Sequence, residues 1–186
     1  MTKNTLKIND IVICGLFVAL IAIGAFIKVP VPFVPFTLQT LFTTLAGLFL
    51  GGKKGFLCVC VYMVLGLIGL PIFASGGGPG YIFQPSFGYI IGFAVGALLT
   101  GTIAHKKANP SYCKLLFACF AGLAMVYLFG MIYYYIISNF YLGTGIGLWP
   151  LFLYCFLLVV PGDIVMCFFA AMLGKRLIPV FNKRKV

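Results

Sequence analysis

GFLCVCVYMVLGLIGLPIFASGGGPGYIFQPSFGYIIGFAVGALLTGTIA, residues 55–104, contains no Lys, Arg, Asp or Glu in 50 positions. A helix that crosses a bilayer needs roughly 20 consecutive apolar residues, so this stretch is too long for one crossing and long enough for two. Its middle supplies the break. Pro71 removes a helical N–H and clashes with the preceding turn, and the glycines of SGGGPG at 75–80 favour a tight turn. Two spans, 55–72 and 85–104, joined by a glycine-rich loop, are expected.

The same reading extends in both directions. Downstream, Leu115 to Gly162 is a second charge-free run, of 48 residues, interrupted by SNFYLGTGIGLWP at 138–150. It yields spans over 115–137 and 150–174, the last closed by Lys175 and Arg176 and carrying Asp163 near its midpoint. Upstream, Asp10 and Lys28 bracket a span over 11–27. VPVPFVPF at 29–36 follows, and Pro30, Pro32 and Pro35 exclude a continuing helix there. A span over 37–50 ends at Gly51, Gly52, Lys53 and Lys54. The expected fold is all-α: an integral membrane protein of six transmembrane helices, one domain over residues 1–186 with no soluble portion. The first span is not read as a cleaved signal peptide, because no small-residue cleavage site follows it.

Composition agrees: 63% of the residues are hydrophobic, 8% are charged and the mean hydropathy is +1.17. Thirteen Lys and Arg face two acids, Asp10 and Asp163, for a formal charge of +11. Such an excess can mark a nucleic-acid partner, but here it sorts by membrane side and no nucleic acid is expected. Lys and Arg accumulate in cytoplasmic loops. With the N-terminus inside, Lys3, Lys7, Lys53, Lys54, Lys106, Lys107, Lys114, Lys175, Arg176, Lys183, Arg184 and Lys185 fall inside and only Lys28 outside. Both termini are thus expected to be cytoplasmic, in a multi-pass protein of the cell membrane.

Two carboxylates and one histidine, His105, leave no acid/base pair and no ligand set for a catalytic metal. No enzyme, catalytic residue, metal or cofactor is expected. The seven cysteines lie in or beside apolar runs and read as small packing residues. Asp163 is the first candidate for function. An ionisable group in a spanning helix normally faces a cavity or a partner, and Pro161 and Gly162 beside it loosen the helix and permit close approach. Gly78, Gly80 and Tyr81 belong to the glycine-rich outer loop, whose N–H groups can hold an anion or can serve a tight hairpin alone. Gln84, Ser86 and Tyr89 bring polar groups to the start of the next span. Gln39, Thr40, Thr43 and Thr44 form a polar stripe, and Tyr133, Tyr134, Tyr135 and Asn139 mark an outer helix end. Interhelical hydrogen bonding and an interfacial tyrosine belt are the alternative roles for these groups. In the first span, Gly15 and Ala19, with Ala22 nearby, make a small-residue face suited to close helix approach.

VPFTLQTLF at 34–42, GGKKG at 51–55, YMVLGLIGLPIFASGGGPG at 62–80, PSFGYIIGF at 85–93 and PGD at 161–163 together resemble the BioY family, the biotin-specific substrate-binding (S) subunits of energy-coupling factor (ECF) transporters. The resemblance covers nearly the whole chain. It implies an S-component fold, high-affinity capture of biotin from outside, and partnership with a transmembrane coupling subunit and two cytoplasmic ATPases. Gly15, Ala19 and Ala22 would then dock the coupling subunit, and residues 28–36 would be a lid. Asp163 would accept the ureido N–H of biotin, aromatic side chains would pack on its rings, and the loop after the third span would receive its valerate carboxylate. The binding residues expected on this reading are Gln39, Thr43, Gly78, Gly80, Tyr81, Ser86, Tyr89, Tyr135, Asp163 and Met166. Two positions depart from the family pattern: Met166 stands where a lysine is expected three residues after Asp163, and PSFGY stands for PTGGY, with Ser86 keeping the hydroxyl and Phe87 replacing a glycine. A solitary transporter that couples protonation of Asp163 to solute movement is the alternative reading. A membrane-embedded transferase working on a phosphorylated lipid is the third, and it fits poorly with so deep and lone a carboxylate.

Overall fold

The computed structural model describes residues 8–107 and 109–183. Lys3, Lys7, Arg184 and Lys185, counted above with the inner basic residues, lie outside the described residues. Helix α1 (Ile8–Phe26) leads through a two-stranded antiparallel hairpin, β1 (Lys28–Val29) and β2 (Phe36–Thr37), into α2 (Gln39–Leu50). Helices α3 (Gly52–Ile68), α4 (Phe87–Ala104), α5 (Tyr112–Ile136), α6 (Leu148–Phe152) and α7 (Val160–Lys183) follow. Three stretches, Phe87–Ala104, Tyr112–Tyr141 and Leu148–Pro179, are long and apolar enough to cross a membrane on their own, and shorter apolar helices accompany them.

Two features differ from the expectation. The proline-rich 29–36 segment is not wholly irregular: its ends pair, Lys28 with Thr37 and Val29 with Phe36, so the prolines sit in the hairpin tip where no ladder donor is required. The last span keeps Asp163 near its middle, within the apolar stretch Leu148–Pro179, but it is built from two helices and not from one. α6 widens into a π turn at Leu153–Leu157, and a fresh helix begins at Val160, with Asp163 in its first turn. The cause is local: Pro161 has no N–H to give to the carbonyl of Leu157, so the ladder cannot run through. α5 starts cleanly, with the Ser111 hydroxyl accepting the N–H of Lys114 at 3.3 Å, and it too ends in a wide turn, Ile137–Tyr141.

α2 is the axis of the bundle. It has 12 residues, of which ten are buried, and at about 1.5 Å per residue it is about 18 Å long, well short of the roughly 30 Å hydrocarbon layer. Within the membrane helices gain little by hiding apolar surface from one another, so close backbone packing must hold them. Glycine supplies it where α4 crosses α5: a Cβ at Gly92 would fall 2.8 Å from the Cα and carbonyl oxygen of Val126. The basic loops are tied at one end of the bundle. Lys54 pairs with Asp10, His105 Nε2 lies 2.7 Å from the Leu48 carbonyl oxygen, and Lys175 donates to Pro110 O at 3.1 Å and Asn109 Oδ1 at 3.3 Å.

Gly92→Val is expected to destabilise the protein by about 1–3 kcal/mol, as overpacking of a filled interior does, read as a lower Tm in detergent. Gly15→Ala, at a position with nothing within 4 Å of the added methyl, is expected to leave Tm unchanged.

Candidate substrate-binding site

At the N-terminal end of α2 the hairpin, the α3–α4 loop and the neighbouring helices enclose a cavity. Counting its mouth, it holds about 580 Å³ of atom-free space. The hairpin contributes Val34, Pro35, Phe36 and Thr37; α2 contributes Gln39 and Thr40; the α3–α4 loop contributes Ala74, Ser75, Tyr81 and Ser86. Tyr89, Ile90 and Phe93 of α4, Val126 and Tyr127 of α5, and Val159 and Asp163 complete the wall. The lining is mostly apolar and aromatic with a few fixed polar groups, the usual make-up of a small-molecule site.

Asp163 is 3% exposed. The Tyr127 hydroxyl donates to its Oδ2. Its Oδ1 is buried without a hydrogen-bond partner among the described residues; Thr40 lies near the carboxyl but closes no hydrogen bond to Oδ1. An orphaned buried acceptor costs about 1–3 kcal/mol, more when charged, so a wall that leaves this oxygen open favours a ligand with an N–H or O–H donor. The remaining polar side chains are largely committed to each other. Gln39 Nε2 donates to the Tyr62 hydroxyl at 2.7 Å, Gln39 Oε1 accepts from Thr37 at 3.2 Å, and Tyr62 donates to Ile72 O at 2.8 Å. Tyr89 donates to Cys155 O at 3.0 Å. These bonds fix much of the wall and leave Asp163 Oδ1 in it as a buried acceptor with unused capacity.

Of the expected binding residues, Gln39, Tyr81, Ser86, Tyr89 and Asp163 share this cavity. The others stand elsewhere. Thr43 turns its hydroxyl back to Gln39 O at 2.9 Å. Gly78 spends its N–H on Gly66 O at 2.7 Å and Gly76 on Phe73 O at 3.2 Å, so these amides close the loop on itself; Gly80 lies within the short helical turn Pro79–Phe83. Tyr135 lines a separate apolar groove with Met131, Ile136, Leu148 and Phe152. Met166 is half-buried beside the core, outside the cavity lining. Residue-by-residue reading missed Tyr127, whose role depends on α5 lying against α7 and has no signature in local spacing. Thr37, Phe36 and Phe93 were missed for the same reason. Among the described residues no group of three or more His, Cys, Asp or Glu could hold a metal ion.

The comparisons with known proteins agree with this architecture. A profile of the BioY family matches residues 1–183. The chain belongs to the BioY family. A probable biotin transporter BioY from Lysinibacillus sphaericus is 40% identical over 176 residues, covering 95% of this chain and 90% of that protein. The biotin transporter BioY of Thermotoga maritima is 40% identical over 134 residues, covering 72% and 76%. The 2.1 Å crystal structure of the S-component for biotin from an ECF-type ABC transporter superposes with a TM-score of 0.81 at 27% identity, covering 95% of this chain and 94% of that one. The S-component fold is therefore that of this BioY chain, a transporter-family membrane protein.

Tyr127→Phe is expected to lower detergent Tm, because it strips the carboxylate of its donor at a cost of about 1–3 kcal/mol. Adding Asp163→Leu to Tyr127→Phe should recover much of that loss, since two apolar partners leave nothing unsatisfied; additive losses in the double variant would break the pairing.

Proposed function

We propose that this BioY chain is the biotin-capturing S component of an ECF-type importer, binding biotin from outside in the cavity above α2. The observation that carries the proposal is the buried, open Oδ1 of Asp163 in an otherwise apolar and aromatic chamber. A carboxylate oxygen accepts and never donates when ionised, so it suits a ureido N–H, while Tyr89, Phe93 and Phe36 offer ring faces to an apolar bicycle. Tyr127 holds the second oxygen, the task that a lysine at position 166 would have had. The relatives described as biotin transporters support the solute, and the likeness to a biotin S-component supports the assembly.

In this reading α1, α3, α4 and α5 each cross once, α2 completes a crossing together with the hairpin before it, and α6 with α7 crosses as one interrupted helix. Both termini face the cytoplasm, on the side where the ties of Lys54, His105 and Lys175 gather. Gly15 and Ala19 are exposed and Ala22 is half-buried, a face open to the coupling subunit, which with two ATPases would supply the driving force. The hairpin is the lid. Its tip residue Phe33 has φ 70°, a conformation that strains a bulky residue by about 1–3 kcal/mol, and its ring is seated edge-on against Tyr154 at 5.0 Å and Tyr134 at 6.0 Å.

Isothermal titration of biotin into purified protein freed of endogenous ligand is expected to show one site per chain. Asp163→Ala and Asp163→Leu should weaken binding at least tenfold, about the worth of a charge-assisted hydrogen bond; unchanged affinity in both would remove Asp163 from the site. Gly15→Leu should leave biotin binding intact and abolish ATP-dependent uptake in vesicles containing all subunits, whereas undiminished uptake would exclude this face from docking.

A further inference from the structure

Lys28 is the one basic residue of the sequence that does not fall with the inner loops, and its position is doubly constrained. Its backbone pairs with Thr37 across the hairpin, and its Nζ donates to the carbonyl oxygen of Ala74 at 2.7 Å. Thr37 and Ala74 both line the cavity. The ammonium is therefore held where the hairpin meets the α3–α4 loop, at the rim of the chamber, by contacts 46 residues apart in sequence. An ammonium carries three donors, and the Ala74 carbonyl engages one.

No carboxylate side chain of the protein can neutralise it. The sequence has two: Asp10, engaged by Lys54, and Asp163, buried against Tyr127. Two of the glycine-loop amides that could receive an anion, those of Gly76 and Gly78, are engaged in closing their own loop. The chamber is thus electrically polar along its depth, with an acceptor oxygen at the wall formed by α5 and α7 and a fixed cation at the rim. We propose that Lys28 forms an anion subsite at the outer rim, which takes the carboxylate of a ligand whose N–H donors reach Asp163. This rests on the binding site described above and adds to it the ligand's orientation: ring system inward, acid tail outward. It also moves the carboxylate from the glycine loop to the hairpin, so that an acidic ligand joins the hairpin to the loop.

The test is titration of biotin and of biotin methyl ester, which lacks the charge, into purified wild-type protein, Lys28→Met and Lys28→Arg, each at low and high NaCl. Lys28→Met keeps the aliphatic stem and removes the charge. It is expected to weaken biotin about three- to tenfold, the range between an exposed ion pair and a charge-assisted hydrogen bond, and the ester by less than twofold; Lys28→Arg should stay near wild type. Wild-type affinity for biotin should fall with salt and that of Lys28→Met should not, which decides the matter from biotin alone. Equal losses for acid and ester, or the same salt dependence in both proteins, would overturn the anion subsite and leave Lys28 a strut between hairpin and loop. Absence of biotin binding by the wild type would instead overturn the functional reading itself.

Discussion

A carboxylate buried inside an apolar helix bundle has to be answered by donors, and the structure around Asp163 is organised by that demand. Tyr127 reaches across from α5 to satisfy one oxygen, which fixes the rotation of α7 relative to α5. The other oxygen is left to the cavity. The break before α7 follows from the same residue's surroundings: Pro161 ends the π turn that closes α6, and Gly162 lies so close to Phe36 of the hairpin that an added Cβ would sit 2.7 Å from its ring. The carboxylate, the helix break and the seat of the hairpin form one unit.

Two kinds of packing hold the bundle. At the end where the basic loops gather, glycines bring backbones together: a Cβ on Gly47 would meet the backbone of Ala97, and one on Gly101 would meet that of Gly47 and Gly52. At the opposite end, aromatic side chains fill the space, as in the chain of rings from Tyr62 through Phe73 and Tyr81 to Phe87. Backbone packing tolerates almost no change of side-chain volume, whereas aromatic packing adjusts by rotation of rings. Five aromatic side chains, Phe36, Tyr81, Tyr89, Phe93 and Tyr127, line the cavity.

Helices, breaks and the burial of Asp163 beside a cavity were legible because each has a local cause: charge-free length, Pro71 and Pro161, a lone acid in an apolar run. What resisted reading was anything decided by helix rotation. Thr43 and Tyr135 look as suitable as Gln39 and Tyr89 in the sequence, yet Thr43 bonds its own helix and Tyr135 faces an outer groove. Tyr127 looks like one more aromatic in α5 and yet is the partner of the buried acid. Gly78 and Gly80 read as an anion nest, but the N–H of Gly78 was already needed to end α3 at Gly66. The hairpin in the proline-rich segment was hidden because its pairing residues, Lys28 and Thr37, flank the prolines instead of alternating with them.

The shortness of α2 has a further implication. Its first turn, at Gln39 and Thr40, forms part of the chamber wall, while its remaining turns are locked among α1, α3, α4 and α7. Side chains around that turn come from the hairpin, the α3–α4 loop, α4, α5 and α7, and two of them, Tyr89 and Val126, also pack against glycines of the α4–α5 crossing. Exchange of Val34, Pro35, Ala74 or Ser75 would therefore alter the cavity wall alone, whereas a change at Val126 would alter wall and scaffold together.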